Sequence, residues 1–400
     1  MDQDVFRRLG RIYAEAARTA PALHARFERA GFDIASIACL DDLSALPVLK
    51  KERLVELQRA NPPFGGFLPQ AAGRSMRRIY VSPGPIYEPA LGDGAHGLDL
   101  LFRAAGLGPD DIVLNTWSYH LVPAGLLFDE AAAMVGATVI PAGTGNRELQ
   151  ARILVETRAT AICASTAFFL ELARLTFDTW GPEAWSVKRS FLGGEMGDWA
   201  AKRRTIEKDY RVSTWAAYAT ADVGLVACED GQGEGYAVHP RCLVQICDPD
   251  TGVPVAPGEA GEIVVTAFDA HWPMIRFGTG DKAFALAQGA DGRVLRLSPL
   301  QGRVGRALKV REIFVYPRSI EQVVAGTAGL GAAQGVVREV DNRDHLTLRL
   351  VLEDGADADA VREHALRLFQ QTCRIRADET TLVASQPADA PLLVRLGPEG

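Results

Sequence analysis

Short apolar segments alternate with amphipathic ones from residue 112 onwards, and this alternation constrains the fold more than any other feature of the 400-residue chain. Each apolar run is followed by a stretch with helical periodicity. Alternating strands and helices build a mainly parallel sheet that helices cover on both faces. We therefore predict strands at residues 112–114, 138–141, 161–164, 190–192 and 213–216, separated by helices at 147–157, 166–175 and 199–210.

Two further changes of pattern divide the chain. After Gly231, extended segments with turn signals such as Asp248-Pro249-Asp250-Thr251-Gly252 replace the strand–helix alternation. Beyond Gly302, the order strand, helix, two strands, helix, strand matches the ferredoxin-like arrangement. Because the chain is long for a single core, we predict two domains. The first, over residues 1–302, is a large α/β domain of parallel sheets and helices with a small β region. The second, over 303–400, is a small ferredoxin-like α+β domain.

Periodicity also predicts the elements at the two ends of the chain. Apolar side chains recur at three- and four-residue steps near the start, so we predict helix over residues 5–30. In the second domain we predict strands at 308–315, 333–340, 346–352 and 381–384 and helices at 318–325 and 358–373.

The composition excludes several function classes. A formal net charge of −7 leaves no basic surface for nucleic acid. No apolar run approaches the length of a membrane span, and the first residues are charged rather than signal-like. The six cysteines are scattered, which is typical of reduced thiols. We therefore predict a cytoplasmic protein without nucleic-acid or membrane partners.

A carboxylate with little bulk around it stands in Thr279-Gly280-Asp281. In a turn, this carboxylate can grip two neighbouring hydroxyls, such as those of a ribose. Arg303 follows further along the chain, and its planar fork of donors can reach the same sugar or a phosphate. The alternative is a structural turn and a surface arginine. The motifs on either side favour the ligand-binding interpretation.

The order of these motifs resembles that of the adenylate-forming ligases and, among them, the phenylacetate–CoA ligase family. The resemblance covers nearly the whole chain. It is carried by the segments 46–52, 63–65 and 136–143, by Gly193-Gly194-Glu195, by the segment 218–224, and by the segments 258–263 and 276–281.

The resemblance implies ATP-dependent activation of an aromatic or related carboxylic acid, through an acyl-adenylate, to a CoA thioester. It implies ATP or AMP, Mg²⁺ and CoA as cofactors. Asp222 stands where relatives place a Mg²⁺-binding glutamate, so Asp222 is a candidate catalytic and metal-binding residue and Arg303 a candidate catalytic residue. Tyr119 and His120 follow a strand and are candidates for the acid pocket, with core packing as the alternative. The implied nucleotide-binding residues are Gly193, Gly194, Glu195, Tyr218, Ala219, Asp281 and Arg303.

The chain departs from the family pattern in the phosphate loop. The family has a Ser/Thr/Gly-rich run that ends in Gly-Lys-Pro, whereas this chain reads Ser82-Pro83-Gly84-Pro85-Ile86-Tyr87-Glu88-Pro89. Pro83 and Pro85 each remove a backbone donor, and Glu88 replaces the lysine. At an effective dielectric near 20, a unit-charge pair about 4 Å apart is worth roughly 4 kcal/mol, so this exchange reverses a large interaction. The loop predicts weakened binding of a triphosphate.

Two departures lie in the second domain. Glu312 replaces a glycine that lets the family's backbone run close to the pantetheine arm of CoA. Family members end with a catalytic lysine, whereas the tail over residues 391–397 contains Arg395 and no lysine. Arg395 is a candidate substitute, although its fork and reach differ from those of an ammonium group.

These departures leave alternatives open. The first is a catalytically reduced homologue that binds AMP, an acyl-adenylate or an acyl-CoA without adenylating an acid. The second is a branch with thioester or acyl-transfer chemistry only, with Lys309 near its site. The acid substrate and the oligomeric state, including a homodimer, also stay open. A zinc site is a further alternative, since Cys228, His239, Cys242 and Cys247 are ligand types that zinc prefers.

Overall fold

The computed structural model describes residues 3–70, 76–82, 85–91, 96–193, 199–304, 308–311, 313–340, 343–373, 375–387 and 390–396. The chain divides into two compact units, Met1–Gly302 and Arg303–Gly400. No helix in these described ranges is long and apolar enough to cross a membrane.

The described α-helices belong mostly to the first unit. They are α1 Gln3–Ala17, α2 Pro21–Ala30, α3 Leu40–Ser44, α4 Lys51–Ala60, α5 Asp99–Ala104, α6 Ala124–Met134, α7 Arg147–Thr157, α8 Thr166–Trp180, α9 Trp199–Tyr210, α10 Pro317–Ala325 and α11 Ala358–Cys373.

The described strands are short, as the apolar runs predict. In the first unit they are β1 Leu49–Lys50, β2 Met76–Ser82, β3 Ile86–Leu91, β4 Ile112–Asn115, β5 Thr138–Pro141, β6 Ala161–Ser165, β7 Arg189–Gly193, β8 Ser213–Thr220, β9 Gly224–Cys228, β10 Tyr236–Val238, β11 Cys242–Cys247, β12 Gly261–Ala267, β13 Phe277–Ala283, β14 Ala285–Gln288 and β15 Val294–Leu297. Strand β16, Gly302–Arg303, spans the boundary, and the second unit continues with β17 Leu308–Val310, β18 Ile313–Val315, β19 Leu330–Val340, β20 Arg343–Leu352, β21 Glu379–Leu382 and β22 Leu393–Arg395.

A nine-stranded sheet with the order β14-β15-β10-β9-β8-β7-β6-β4-β5 forms the centre of the first unit. Strands β5, β4, β6, β7 and β8 run parallel, so the predicted parallel sheet is confirmed. Its remaining pairings are antiparallel. Fully buried Leu154, Leu172 and Ile162 pack between helices α7 and α8 and this sheet, which explains why the strands read as continuous apolar runs.

The helices of this unit agree closely with their sequence pattern. Helices α7 and α9 have the predicted bounds, and α8 extends past residue 175 to Trp180. The Ser165 hydroxyl accepts the Phe168 N–H at 3.3 Å and caps the start of α8. Gly181, with φ of 80°, ends it.

The helical periodicity over residues 5–30 corresponds to two helices with a break between them. Helix α1 ends at Ala17 and α2 begins at Pro21. A proline in a helix interior removes a backbone hydrogen bond, whereas at the first helical position its missing N–H costs nothing. The break therefore lies immediately before Pro21.

A smaller sheet with the order β1-β13-β12-β11 carries the Thr279-Gly280-Asp281 segment. This segment lies within strand β13 and is not a turn between strands, which corrects the sequence-based interpretation. Gly280 adopts φ of 77° there, and the β12–β13 register shifts between Glu262 and Val264. Strand β1 runs parallel to β13, with Leu49 opposite Phe277 and Lys50 opposite Gly278. The N-terminal segment is thereby fixed beside Asp281.

The second unit contains the predicted order of strands and helices with two differences. The strand predicted at 308–315 is a hairpin of β17 and β18, because Arg311 adopts a left-handed φ of 47° at its tip. The second difference is strand β22 in the tail, which was not predicted and which runs parallel to β19. The main sheet therefore has the order β21-β20-β19-β22. Helices α10 and α11 bury Ile320 and Phe369 in the core of this unit.

Candidate functional site

Tyr218 and Asp281, which stand 63 residues apart in sequence, meet where the two sheets of the first unit approach each other. The Tyr218 hydroxyl donates to Asp281 Oδ2 at 2.9 Å. Tyr218 is buried and Asp281 half-buried. The Asp281 backbone N–H donates to Thr279 Oγ1 at 3.2 Å, and that hydroxyl donates to the Ile263 carbonyl at 2.9 Å. The structure therefore brings two of the predicted nucleotide-binding residues together and orients the carboxylate.

Asp222 follows the end of β8 and is almost fully buried, with 2% exposure. Lys51 Nζ lies 2.7 Å from Asp222 Oδ2, and the Trp272 indole N–H donates to the Asp222 backbone carbonyl at 2.9 Å. Asp222 Oδ1 is buried without a hydrogen-bond partner. Lys51 is not among the predicted site residues, although it lies in the segment 46–52, which resembles the family. That resemblance is the sequence signal that could have identified it.

Glu88, the residue that replaces the phosphate-loop lysine, is buried on β3. The Ser82 hydroxyl donates to Glu88 Oε1, while Oε2 is buried without a hydrogen-bond partner. Burial, and then the negative charge of Asp222, raise the pKa of Glu88 to about 8, although Ser82 and Lys51 oppose this shift. This environment therefore favours the neutral carboxyl form of Glu88 over the anion that its sequence position predicts. Pro83 and Gly84 lie outside the described residues.

Glu88 and Asp222 line a cavity of ≈ 40 Å³ between the β2–β3 hairpin and the turn after β8. Arg241 and Asp269 also line it, with their nearest side-chain atoms 3.6 Å apart. His96 lies at the cavity, 3.4 Å from the Arg241 guanidinium, and burial followed by this positive charge lowers the pKa of His96. The cavity thus combines charged groups with an otherwise largely apolar wall.

The candidate acid-pocket residues follow strand β4. The Tyr119 hydroxyl donates to Asp129 Oδ2 at 2.8 Å and accepts from Asn115 Nδ2 at 2.8 Å. Burial, followed by the Asp129 carboxylate, raises the pKa of Tyr119. His120 is exposed, and neither residue lines the cavity at Glu88. Their assignment to an acid pocket stays a prediction.

The predicted adenine-flanking residues are only partly described. Gly193 ends strand β7, and a Cβ atom added there would lie 3.3 Å from the Trp117 ring. Gly194 and Glu195 lie outside the described residues, and Ala219 is exposed on β8. The segments that follow β4, β7 and β8 all leave the carboxyl ends of parallel strands, where sheets of this kind bind ligands.

Three of the residues that the sequence singles out, Arg303, Glu312 and Arg395, belong to the second unit. Arg303 is half-buried on β16, and its role stays a prediction. Arg395, on β22, makes a two-point ion pair with Asp344, at 2.5 Å from Nη1 to Oδ1 and 3.2 Å from Nη2 to Oδ2. Asp344 also accepts the Arg311 backbone N–H at 3.1 Å. Arg395 therefore ties the tail to its own sheet. Glu312 lies outside the described residues.

The zinc alternative gains no support. Burial raises the pKa of Cys228 to about 11, of Cys242 to about 12 and of Cys247 to about 11. In the ranges that the structure describes, no three His, Cys, Asp or Glu side chains form a group that could hold a metal ion. Asp222 Oδ1 suits a single contact to Mg²⁺, an ion that takes one or two carboxylates and completes its shell with phosphate oxygens and water.

Comparison with solved structures identifies the class of fold to which this chain is similar. The two units and their sheets match the adenylate-forming ligase architecture, since a crystal structure of 2-hydroxyisobutyryl-CoA ligase, in complex with 2-HIB-AMP and CoA, superposes with a TM-score of 0.88. The match covers 99% of this chain and 90% of that one at 22% identity. An amide bond synthetase from Marinactinospora thermotolerans matches over 78% of this chain and 66% of its own, with a TM-score of 0.56 at 18% identity.

The sequence comparisons give a narrower group. Phenylacetate-coenzyme A ligase of Thermus thermophilus is 28% identical over 336 residues, which are 79% of this chain and 73% of that protein. The Escherichia coli enzyme of the same name is 26% identical over 378 residues, covering 90% of this chain and 82% of its own. No protein-family model matches the chain. The resemblance to phenylacetate–CoA ligases that the motifs indicate is confirmed.

Proposed function

We propose that this protein is an acid–CoA ligase that forms AMP, and that it activates an aromatic or related carboxylic acid through an acyl-adenylate. The observation that carries this proposal is the Tyr218–Asp281 hydrogen bond. It joins two segments that were matched independently to the family and places both at one junction of the two sheets. The curated relatives, which cover most of this chain, support the same reaction.

The reaction needs two displacements. The substrate carboxylate attacks the α-phosphorus of ATP, the bond to the β-phosphate oxygen breaks, and pyrophosphate leaves with the acyl-adenylate formed. The thiol of CoA then attacks the acyl carbonyl, and AMP leaves as the thioester forms and the thiol proton is released. A carboxylate oxygen is a poor leaving group, whereas AMP is a good one, so the first step makes the second possible.

The nucleotide would be held through its adenosine. In the proposed arrangement, Asp281 accepts hydrogen bonds from the two ribose hydroxyls, and Tyr218 keeps its carboxylate oriented by the bond at 2.9 Å. The segment from Gly193 to Glu195 and Ala219 flank the adenine, and Arg303 binds the sugar or a phosphate. A carboxylate that is positioned before binding loses less freedom when the ribose arrives.

Asp222 would contribute one oxygen to Mg²⁺, because its Oδ1 atom is buried and has no hydrogen-bond partner. Mg²⁺ would reduce the negative charge that the carboxylate nucleophile meets at the phosphates. Lys51 holds the other carboxylate oxygen at 2.7 Å, which fixes the rotamer of Asp222. Tyr119 and His120 are proposed to line the acid pocket, in which Tyr119 is held by Asp129 and Asn115.

Thioester formation tests this proposal. The purified protein is incubated with ATP, Mg²⁺, CoA and a panel of aryl and alkyl acids, and acyl-CoA and AMP are measured by mass spectrometry. We expect equal amounts of both products for at least one acid, and Asp281→Ala should lower the rate strongly. Lys208→Met, an exposed change on α9, is the control. AMP binding without products from any acid would instead support the catalytically reduced homologue.

A further inference from the structure

The Thr279-Gly280-Asp281 segment bulges out of the ladder between β12 and β13. Two backbone pairs flank it: Glu262 with Lys282, and Val264 with Gly278. Between these pairs β12 contributes one residue, Ile263, whereas β13 contributes three. A β-bulge leaves backbone groups of the longer strand outside the regular ladder and changes the direction of its side chains. The carboxylate that is proposed to bind the ribose therefore depends on how this bulge is held.

Side chains hold two successive N–H groups of the bulge. Glu262 Oε1 accepts the Gly280 N–H at 3.1 Å, and Thr279 Oγ1 accepts the Asp281 N–H at 3.2 Å. The Thr279 hydroxyl donates in turn to the Ile263 carbonyl at 2.9 Å. Because the two N–H groups belong to the peptide units on either side of Gly280, these bonds together fix the direction in which the Asp281 side chain leaves the strand.

We propose that Glu262 is a positioning residue for the nucleotide site, because its carboxylate takes the place that a backbone carbonyl of β12 has in a regular ladder and so directs Asp281 towards the ribose. This inference rests on the proposed function and adds a residue that acts through Asp281. The Asp281 side chain reaches Tyr218, whose hydroxyl donates to it at 2.9 Å. A hydrogen bond to an ionised acceptor is stronger than one to a neutral acceptor, which suits a backbone segment that has left its ladder.

Lys50 compensates the buried charge of Glu262. The Glu262 side chain is 2% exposed, and burying a carboxylate is unfavourable unless it is paired and hydrogen-bonded. Lys50 Nζ donates to Glu262 Oε2 and, at 2.7 Å, to the Pro249 carbonyl. Lys50 also lies opposite Gly278 in the β1–β13 ladder. The ion pair therefore fixes the Glu262 carboxylate against a strand that borders the bulge.

Two glycines leave room for this arrangement. A Cβ atom added at Gly278 would lie 2.6 Å from Glu262 Oε1, so a side chain at position 278 would displace the carboxylate. Gly280 adopts φ of 77°, a conformation that glycine reaches without the steric cost that other residues meet. Both glycines therefore permit the bond between Glu262 and the Gly280 N–H.

AMP binding by two double variants, measured by calorimetry, tests the proposal. Lys50→Met/Glu262→Gln removes the ion pair but keeps a side-chain oxygen that can accept the Gly280 N–H. Lys50→Met/Glu262→Met removes the ion pair and the acceptor, with a side chain of similar length. The Kd for AMP should stay within about threefold of the parent value in the glutamine variant and rise about tenfold in the methionine variant. Equal Kd values for the two double variants would overturn the proposal.

The same comparison in an Asp281→Ala background separates positioning from a general loss of structure. If Glu262 acts through Asp281, the difference between glutamine and methionine at position 262 should fall below about twofold there. A difference of about tenfold in both backgrounds would overturn the proposal. Arg311→Met/Asp378→Met is the matched control, since it removes an ion pair from the second unit in which Asp378 accepts the Leu346 N–H at 2.8 Å. It should leave the Kd for AMP unchanged.

Glu262→Asp covers the case in which the methionine variant does not fold. It keeps a negative charge for Lys50 but is one methylene shorter, so its oxygen draws back from the Gly280 N–H. The Kd for AMP should rise by about fivefold, and an unchanged Kd would overturn the proposal. The proposed function fails separately, since AMP binding that depends on Glu262, without product from any acid, would contradict the ligase activity alone.

Discussion

Removing the hydroxyl oxygen of Tyr218 tests whether Tyr218 orients the Asp281 carboxylate, because Asp281 itself stays in place to bind the ribose. Tyr218→Phe deletes the hydroxyl that donates to Asp281 Oδ2 at 2.9 Å and leaves the buried ring in place. Hydrogen bonds to charged groups contribute about 1.5–3 kcal/mol when they are lost from a buried site. Because Asp281 is half-buried, water replaces part of this bond, and we expect the free energy of unfolding to fall by about 1 kcal/mol.

The effect on the nucleotide should be smaller than that of deleting the carboxylate. Tyr218→Phe keeps the ribose ligand but loosens it, so the Kd for AMP should rise by about fivefold, equivalent to about 1 kcal/mol. Asp281→Ala removes the ligand itself and should raise that Kd by about a hundredfold. The double variant should resemble Asp281→Ala, because the Tyr218 hydroxyl then has no carboxylate to orient.

Calorimetric titration with AMP measures all three variants, and urea unfolding reports their stability. Tyr236→Phe is the matched control, since it removes the same oxygen from a buried tyrosine on strand β10, two strands from β8 in the same sheet. Tyr218→Phe with unchanged AMP affinity, or additive losses in the double variant, would refute the reasoning that Tyr218 acts through Asp281.

Three further predictions concern stability and reactivity. The pKa of Glu88, raised to about 8 from 4.5, should make the parent protein lose stability as pH rises between these values, and Glu88→Gln should flatten that fall in a thermal-melting series. Arg276 is fully buried and donates to the Gly252 carbonyl. Arg276→Leu should therefore lower the free energy of unfolding, measured in urea, by about 3 kcal/mol; a loss below about 1 kcal/mol would contradict this. Of the cysteines, only Cys39 is exposed, so a thiol reagent should label a single cysteine in the native protein and all of them in urea.

The central sheet was predictable from sequence because each of its strands and helices has a recognisable pattern within its own short segment. Short apolar runs such as residues 161–164 form strands that are buried on both faces. The helices between them, such as α7 and α9, show the helical periodicity of apolar residues. The Pro21 break was also present in the sequence, but the periodicity on both sides of it concealed the two helices.

The site was harder to predict, because its contacts join distant segments. Strand β1 has two residues, too few to show a period, and its partner β13 lies more than 200 residues away in sequence. The ion pair between Lys51 and Asp222 depends on that pairing. Motif comparison identified the replacement at Glu88 but not its burial, which raises the pKa of this carboxyl group. The sequence predicted that Tyr218 and Asp281 belong to one nucleotide site, but it did not predict the hydrogen bond between them.

Exchange of labelled pyrophosphate into ATP, with an aryl acid and Mg²⁺ but without CoA, tests the central claim most directly. This assay reports reversible formation of the acyl-adenylate and does not require the second step. Our account predicts exchange that depends on the acid, falls in Asp281→Ala, and persists in Lys208→Met. No exchange with any acid from a folded protein that binds AMP would contradict the account, since the chain would then hold the nucleotide without activating a carboxylate.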